Sequence, residues 1–128
     1  MTFHVHTITF DCKEWEPLVA FWTAASDMTE DPGDPNSPGD PAGLIRDPET
    51  GLRILFIPVP EPKTVKNRLH LDVTPVDLTR DEEVERLVEL GATIVADHRK
   101  PDGAGWVVMG DPEGNEFCVE RSAAERAG

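Results

Sequence analysis

The apolar positions of this chain follow two periods, one typical of helices and one typical of strands. A helix is predicted over residues 15–25, where apolar side chains recur at the spacing of one buried helix face. These side chains belong to Trp15, Leu18, Val19 and Trp22. A second helix is predicted after the capping box of Thr79 and Glu82, and Gly91 is suited to the left-handed cap that ends it. The apolar face of this helix is predicted to carry Val84, Leu87, Val88 and Leu90.

Segments rich in β-branched and aromatic residues predict the strands around these helices. The predicted strands cover residues 3–10, 44–46, 52–59, 68–74, 92–96, 105–109 and 115–120. Residues 31–41 contain four prolines and two glycines, which predict a long loop that is either a lid or an acidic, solvated excursion. The tail, 121–128, is predicted to be frayed.

The predicted elements occur twice in the same order. In each half a strand and a helix precede further strands, which are joined through an Asp-Pro-Glu turn at 47–51 and again at 111–114. This order predicts an α+β fold of two tandem βαβββ modules, at about 1–60 and 67–121, within a single domain of 1–128. The weak point is the second strand of the first module, which is expected near Met28, where the sequence is mostly loop.

Composition and charge exclude several classes of partner. The chain has 12 Lys and Arg against 25 Asp and Glu, a net charge of −13, and such a surface repels nucleic acid and anionic lipid. The sequence contains no apolar run long enough to span a membrane and no recognisable signal peptide, so a soluble, cytoplasmic protein is expected. Cys12 and Cys118 are too few for a disulfide framework and are expected to be reduced thiols.

Three segments of the chain carry a resemblance to a known superfamily. They are His6-Thr-Ile-Thr-Phe-Asp, Arg68-Leu-His-Leu-Asp-Val and Val108-Met-Gly-Asp-Pro-Glu-Gly-Asn-Glu-Phe. Together they resemble the vicinal oxygen chelate superfamily of glyoxalase I, bleomycin-resistance proteins and extradiol dioxygenases, and above all its small glyoxalase-like members. The resemblance covers nearly the whole chain. It implies an open, cup-shaped mixed sheet with the helices outside, a concave ligand face and a homodimer.

The resemblance also implies where a metal would bind. Metal-dependent members place one ligand on the first strand and one on the last strand of each module, and the internal repeat puts these positions at His6, Leu55, His70 and Cys118. Leucine and cysteine stand where glyoxalase I has glutamate, so glyoxalase I chemistry is not expected. With no carboxylate in the set, no metal is favoured, and ligand binding is expected to survive chelators. If a divalent metal (Zn, Fe, Ni or Mn) is bound, its expected ligands are His6, His70 and Cys118.

Two main functions follow from these positions. The favoured function is the binding of a small aromatic or drug-like molecule in the concave cleft of the sheet, with no reaction assigned. The predicted ligand-binding residues are His6, Leu55, Ile57, His70, Asp72, Trp106 and Cys118. The alternative is a metal-dependent lyase or dioxygenase that uses His6, His70 and Cys118 or a nearby glutamate. Its candidate catalytic residues are His6, His70, Glu116 and Glu120. A third function, a structural dimer whose cup is vestigial, stays open.

Several of these side chains also have a purely structural interpretation. His6 and His70 are metal ligands, hydrogen-bonding partners of a ligand, or histidines that line a wet cavity. Asp72 lies on the same strand face as His70 and either orients it or forms a structural pair with it. Cys118 is first a small buried hydrophobic residue, and second a ligand or nucleophile. Trp106 either stacks on a planar ligand or packs against a neighbouring strand.

Overall fold

The computed structural model describes residues 2–128 and contains an α+β fold in two units, Met1–Lys63 and Thr64–Gly128. The first unit contains β1 (Ile8–Cys12), α1 (Trp15–Ala25), β2 (Gly43–Arg46) and β3 (Arg53–Pro58). The second contains β4 (Leu71–Val73), α2 (Arg80–Leu90), β5 (Thr93–Asp97), β6 (Val107–Gly110), β7 (Glu116–Val119) and α3 (Ala123–Ala127). The α+β prediction is confirmed, and the boundary between the units falls in the gap between the two predicted modules.

The first unit packs α1 on one face of a three-stranded mixed sheet of order β1-β3-β2. Strand β1 pairs parallel with β3, and β2 pairs antiparallel with it. The apolar stripe of α1 is buried as predicted, and Ile54 and Phe56 of β3 are almost completely buried. Gly43 allows the helix to approach closely, because a Cβ at this position would lie 2.4 Å from the Trp15 ring. Leu55, between Ile54 and Phe56, therefore lies on the opposite face.

The strand expected near Met28 is reduced to a single bridge. The backbones of Thr29 and Arg46 exchange two hydrogen bonds with N to O distances of 2.8 Å. The chain then enters the proline-rich loop, whose prolines cannot donate to a ladder. The first module is therefore βαββ with one added bridge, whereas the second has the predicted βαβββ order.

The proline-rich loop 31–41 is largely exposed, as a solvated excursion would be, but it is anchored to the first unit. The side chain of Asn36 donates to the carbonyl of Leu44 and accepts from its N–H, both at 2.9 Å. The indole of Trp15 donates to the carbonyl of Asp40 at 2.8 Å. Asn36 therefore supplies the edge of β2 with the hydrogen bonds that a further strand would have made.

The second unit packs α2 against a four-stranded sheet of order β4-β7-β6-β5, in which only β4 and β7 pair parallel. The predicted capping box is confirmed, since Thr79 accepts from the N–H of Glu82 and the Glu82 carboxylate accepts from the N–H of Thr79. Gly91 ends the helix with φ 118°. The buried face of α2 is narrower than predicted, because Val88 is 45% exposed and Leu90 is 37% exposed.

Two strands begin later in the structure than the sequence predicts. Strand β1 begins at Ile8 instead of Phe3, and β4 begins at Leu71 instead of Arg68. The reason for the first difference is pairing: β3 begins at Arg53, so it offers no partner to residues 3–6 within the described chain. Phe3 is accordingly 90% exposed.

The tail is not frayed, and that prediction is wrong. Helix α3 begins with a second capping box, in which Ser122 accepts from the N–H of Glu125 and Glu125 accepts from the N–H of Ser122. The Glu125 carboxylate also accepts from the backbone N–H of Arg80 at 2.6 Å. The tail is therefore bound to the start of α2.

Candidate functional site

The second sheet has one apolar face and one face with polar side chains. Successive residues of a strand point to opposite sides, so each strand contributes to both faces. Phe117 and Val119 of β7 point into the core beneath α2, and Cys118 points to the other side. The register places Asp72 of β4 and Val108 of β6 beside Cys118. We call this second side the polar face. Within the strands it carries Asp72, Val108, Glu116 and Cys118. His70, which contacts Asp72 and Cys118, and Trp106, two residues before Val108, extend this face beyond the ends of β4 and β6.

Three polar groups meet on the polar face. The Nδ1 atom of His70 lies 2.9 Å from the Oδ1 atom of Asp72 and 3.8 Å from the Sγ atom of Cys118. One potential ligand atom from each residue lies within 4.8 Å of the other two. The side chains of His70 and Asp72 are 39% and 52% exposed, so a ligand can reach them. This cluster can offer hydrogen bonds to a bound molecule or coordinate a cation.

The prediction that Asp72 shares a face with His70 is confirmed. This finding changes the expectation about a metal, because it places a carboxylate beside His70. That expectation rested on the absence of a carboxylate from the set His6, Leu55, His70 and Cys118. The hydrogen bond between His70 and Asp72 brings in a carboxylate from β4, two residues along the chain from His70. The period of two along a strand is the signal from which this ligand position could have been found.

Cys118 is buried, and its surroundings favour the protonated thiol. Burial is the largest cause of its raised pKa, followed by the charge and the hydrogen bond of Asp72. The charge of Lys66 lowers the pKa of the thiol, and that of Glu120 raises it. A cysteine whose pKa is raised is a weak nucleophile. Neither Cys12 nor Cys118 forms a disulfide within the described residues.

The two glutamates predicted as candidate catalytic residues lie beside this cluster in different settings. Glu116 is buried, and its carboxylate accepts from the N–H of Asn67 at 2.8 Å and lies 3.8 Å from the Nζ atom of Lys66. Glu120 is half-buried just after β7, and its N–H donates to the carbonyl of Val73. Glu116 therefore holds the segment before β4 in place.

The predicted equivalence of His6 and His70 is wrong by one residue, whereas that of Leu55 and Cys118 is confirmed. In the parallel pairs, Leu55 lies opposite Thr9 and Cys118 lies opposite Asp72. Counting back two residues from Thr9 and from Asp72 matches His70 with Thr7. The shared polar–apolar–polar alternation, Thr7-Ile8-Thr9 and His70-Leu71-Asp72, is the sequence signal for this register.

His6 itself is exposed and precedes β1. Its Nδ1 atom lies 2.7 Å from the hydroxyl of Thr7. A shift of one residue sends a side chain to the opposite face of a strand, so His6 does not occupy the position in the first unit that His70 occupies in the second. Leu55 and Ile57, also predicted to bind a ligand, lie on the face of the first sheet that is turned away from α1.

Trp106 is 41% exposed and lies directly before β6. Its ring stacks on the ring of His98, with centroids 5.0 Å apart and a tilt of 31°. The backbone N–H of His98 donates to the carbonyl of Trp106, which fixes the two residues side by side. Trp106 therefore packs on the residue that directly follows β5, and part of its indole remains accessible to a planar molecule.

A buried arginine fixes the loop that precedes Trp106. The Nη1 atom of Arg80 donates to the carbonyls of Gly103, Ala104 and Gly105, each at 3.0 Å. Arg99 pairs with Asp97 at 2.7 Å, which holds the pKa of that carboxyl at about 2. The sequence did not single out Arg80, because nothing in its local pattern distinguishes it from a surface arginine at the start of a helix.

Comparison with known proteins shows the family and the fold. The model of a glyoxalase-like domain matches residues 7–120, which spans both units. A search of curated proteins found no significant match. In addition, no helix among residues 2–128 is long and apolar enough to cross a membrane.

Solved structures of 14–18% identity share this fold over most of their length. The hypothetical protein SA1046 from S. aureus is 14% identical, with a TM-score of 0.69 and 96% of each chain covered. A mutant of the fosfomycin resistance protein FosX from Listeria monocytogenes, in complex with Mn(II) and 1S,2S-dihydroxypropylphosphonic acid, is 18% identical, with a TM-score of 0.69 and coverage of 98% and 95%. A glyoxalase/bleomycin resistance protein/dioxygenase family enzyme from Burkholderia phytofirmans PsJN is 18% identical, with a TM-score of 0.67 and coverage of 89% and 94%.

Proposed function

The chain belongs to the glyoxalase-like domain family of the vicinal oxygen chelate superfamily, and we propose that it binds a small aromatic or drug-like molecule on the polar face of its second sheet. The observation that carries this proposal is the accessible indole of Trp106 on the same face as the exposed His70 and Asp72. An aromatic surface with a few polar groups to one side is the usual composition of a small-molecule site.

The spacing and the register of the strands set the length of the ligand. Trp106 leads into β6, Cys118 lies on β7 and Asp72 lies on β4, and these are three neighbouring strands of the sheet. Adjacent strands are about 4.8 Å apart, so the outer two are about 10 Å apart. In the register of the sheet Trp106 lies two residues, about 7 Å, further along the strands than Asp72, so the two positions are about 12 Å apart. An elongated ligand with an aromatic ring on Trp106 can therefore place a polar group at its other end beside Asp72 and His70.

We expect Trp106→Ala to weaken the binding of an aromatic ligand about tenfold. Loss of stacking removes about 0.5–1.5 kcal/mol in addition to the buried area, and 1.4 kcal/mol corresponds to a factor of ten. The ligand is first selected from a set of aromatic fragments by NMR, and its Kd is then measured for both proteins. Val76→Ala is the matched control, because Val76 is 84% exposed and lies outside the polar face. Equal affinities of the wild type and Trp106→Ala would count against the proposed site.

A metal-dependent lyase or dioxygenase is the second candidate function, and the cluster of His70, Asp72 and Cys118 favours it. The FosX neighbour that contains Mn(II) shows that this fold accommodates a metalloprotein. His6, which was predicted to complete the ligand set, does not occupy the position equivalent to His70. Glu116 already accepts a hydrogen bond from Asn67. A reaction of this class would therefore depend on Asp72 in place of His6.

We also propose a homodimer, because the second sheet ends in an exposed edge strand. Ile94 and Val95 of β5 are 47% and 52% exposed, and an uncovered edge of this kind invites pairing. Sedimentation in 0.15 M salt, which screens the charge of −13, is expected to give twice the chain mass of 14.1 kDa. A mass of one chain at high micromolar concentration would contradict this proposal.

A cytoplasmic location is proposed on the state of the cysteines. Cys12 and Cys118 are both buried thiols outside any disulfide in the described residues. Thiols of this kind persist in a reducing compartment. Maleimide labelling of the denatured protein, taken directly from cells, is expected to modify both cysteines, and resistance of either to labelling would contradict the proposal.

A further inference from the structure

We propose that His70, Asp72 and Cys118 bind a soft divalent metal such as Zn²⁺ at a site contained entirely in the second unit. The three residues offer an imidazole nitrogen, a carboxylate oxygen and a sulfur, all of which are established ligands of Zn²⁺. The donor atoms already lie within 4.8 Å of one another. The proposal does not depend on the binding of an aromatic molecule.

The distances fit a tetrahedral ion. Bonds of about 2.0–2.3 Å place the ligand atoms of a tetrahedral site about 3.3–3.8 Å apart. The separation of 3.8 Å between His70 Nδ1 and Cys118 Sγ meets this requirement as it stands. The 2.9 Å hydrogen bond from His70 to Asp72 has to open by about 0.5 Å. The Asp72 side chain is 52% exposed and is therefore free of the close packing that would prevent it from rotating by this amount.

The rigid part of the site is its buried part. Cys118 is 7% exposed and lies on β7, which is paired on both sides by β4 and β6. Asp72 lies directly opposite it on β4 in the parallel register. His70 and Asp72 face solvent, so an ion can enter from outside. Three protein ligands leave the fourth position of a tetrahedral ion open for water or for a bound molecule.

This donor set differs from the two-module set that the superfamily resemblance implies. The first-unit positions equivalent to His70 and Cys118 are Thr7 and Leu55, and a leucine offers no donor atom. The second unit has to complete the set alone, and Asp72 is the residue that does so. Binding of the metal releases the thiol proton of Cys118 to solvent. The resulting thiolate, together with an imidazole, selects Zn²⁺ over the harder Mn²⁺ and Mg²⁺, which prefer oxygen ligands.

The test uses the full chain without a histidine tag, loaded with Zn²⁺ or Co²⁺ and dialysed. We expect one Zn²⁺ per chain by elemental analysis. With Co²⁺ we expect a thiolate-to-metal charge-transfer band in the near ultraviolet. Cys118→Ser should abolish that band, and Asp72→Asn and His70→Gln should each weaken metal binding at least about tenfold. Circular dichroism and the urea midpoint of each variant show whether it is folded.

Two matched variants serve as controls. Cys12→Ser removes the other buried thiol, and His6→Gln removes the histidine that lies one residue out of register. Both are expected to retain one Zn²⁺ per chain and the cobalt band. The proposal is overturned if the folded wild type binds no metal, if the cobalt complex lacks the thiolate band, or if His6→Gln loses the metal while Asp72→Asn keeps it.

Discussion

Arg80→Met is expected to lower the free energy of unfolding by about 2–4 kcal/mol, because it removes a charged donor from three carbonyl groups at once. The side chain of Arg80 is 5% exposed, so water replaces it poorly at the half-buried carbonyls of Gly103, Ala104 and Gly105. Methionine fills the volume of the arginine stem without a donor. The decrease in the free energy of unfolding is therefore due mainly to the lost hydrogen bonds and only slightly to lost packing.

The measurement is urea unfolding, in which a shift of the midpoint at constant slope reports a change in stability. Arg86→Met on the same helix is the matched control. Arg86 is half-buried and pairs with Glu83 one turn away, a contact expected to contribute less than about 1 kcal/mol. Equal losses in the two variants would show that the three carbonyl contacts do not stabilise the fold.

Gly105→Ala is expected to destabilise the protein by about 2–3 kcal/mol, which is large for the addition of one methyl group. Gly105 has φ 93°, a conformation that disfavours any side chain, and a Cβ at this position would lie 2.0 Å from the carbonyl oxygen of His98. The two backbones can separate only by disturbing the pairing of His98 with Trp106.

Gly103→Ala separates the effect of the positive φ from the effect of the close approach to His98. Gly103 has φ 90°, nearly the same backbone conformation, but no described atom lies within 4 Å of its added Cβ. Its substitution should cost only the backbone strain of about 1–2 kcal/mol. Both variants are compared by urea unfolding. If Gly105→Ala is no worse than Gly103→Ala, the close approach to His98 does not constrain the loop.

Both predictions concern the loop that precedes Trp106. The stability of this loop therefore affects the position of Trp106 in the proposed site. Arg80 and Gly105 together hold residues 98–105 in one conformation, and that conformation places the His98 and Trp106 rings against each other. A folded variant of either residue should therefore also bind an aromatic ligand more weakly, although neither residue lies on the polar face.

The sequence alone determined the elements whose signals are local. The apolar stripe predicts α1 to the residue, and the Thr79–Glu82 capping box and Gly91 set the limits of α2, because each of these signals acts within one or two helical turns. The same applies to the strand and helix that open each module and to the equivalence of Leu55 and Cys118, which depends only on matching two turns of similar sequence.

Only the tertiary structure decided the features that depend on residues far apart in the chain. Strand β1 starts at Ile8 because β3, more than 40 residues away, offers it no earlier partner. The tail forms α3 with its Glu125 carboxylate bound to the N–H of Arg80, 45 residues away. The residues of the candidate site also come from distant parts of the chain. Strands β4 and β7 bring Asp72 beside Cys118 across 46 residues, and the register between two strands so far apart is not set by the local pattern of either one.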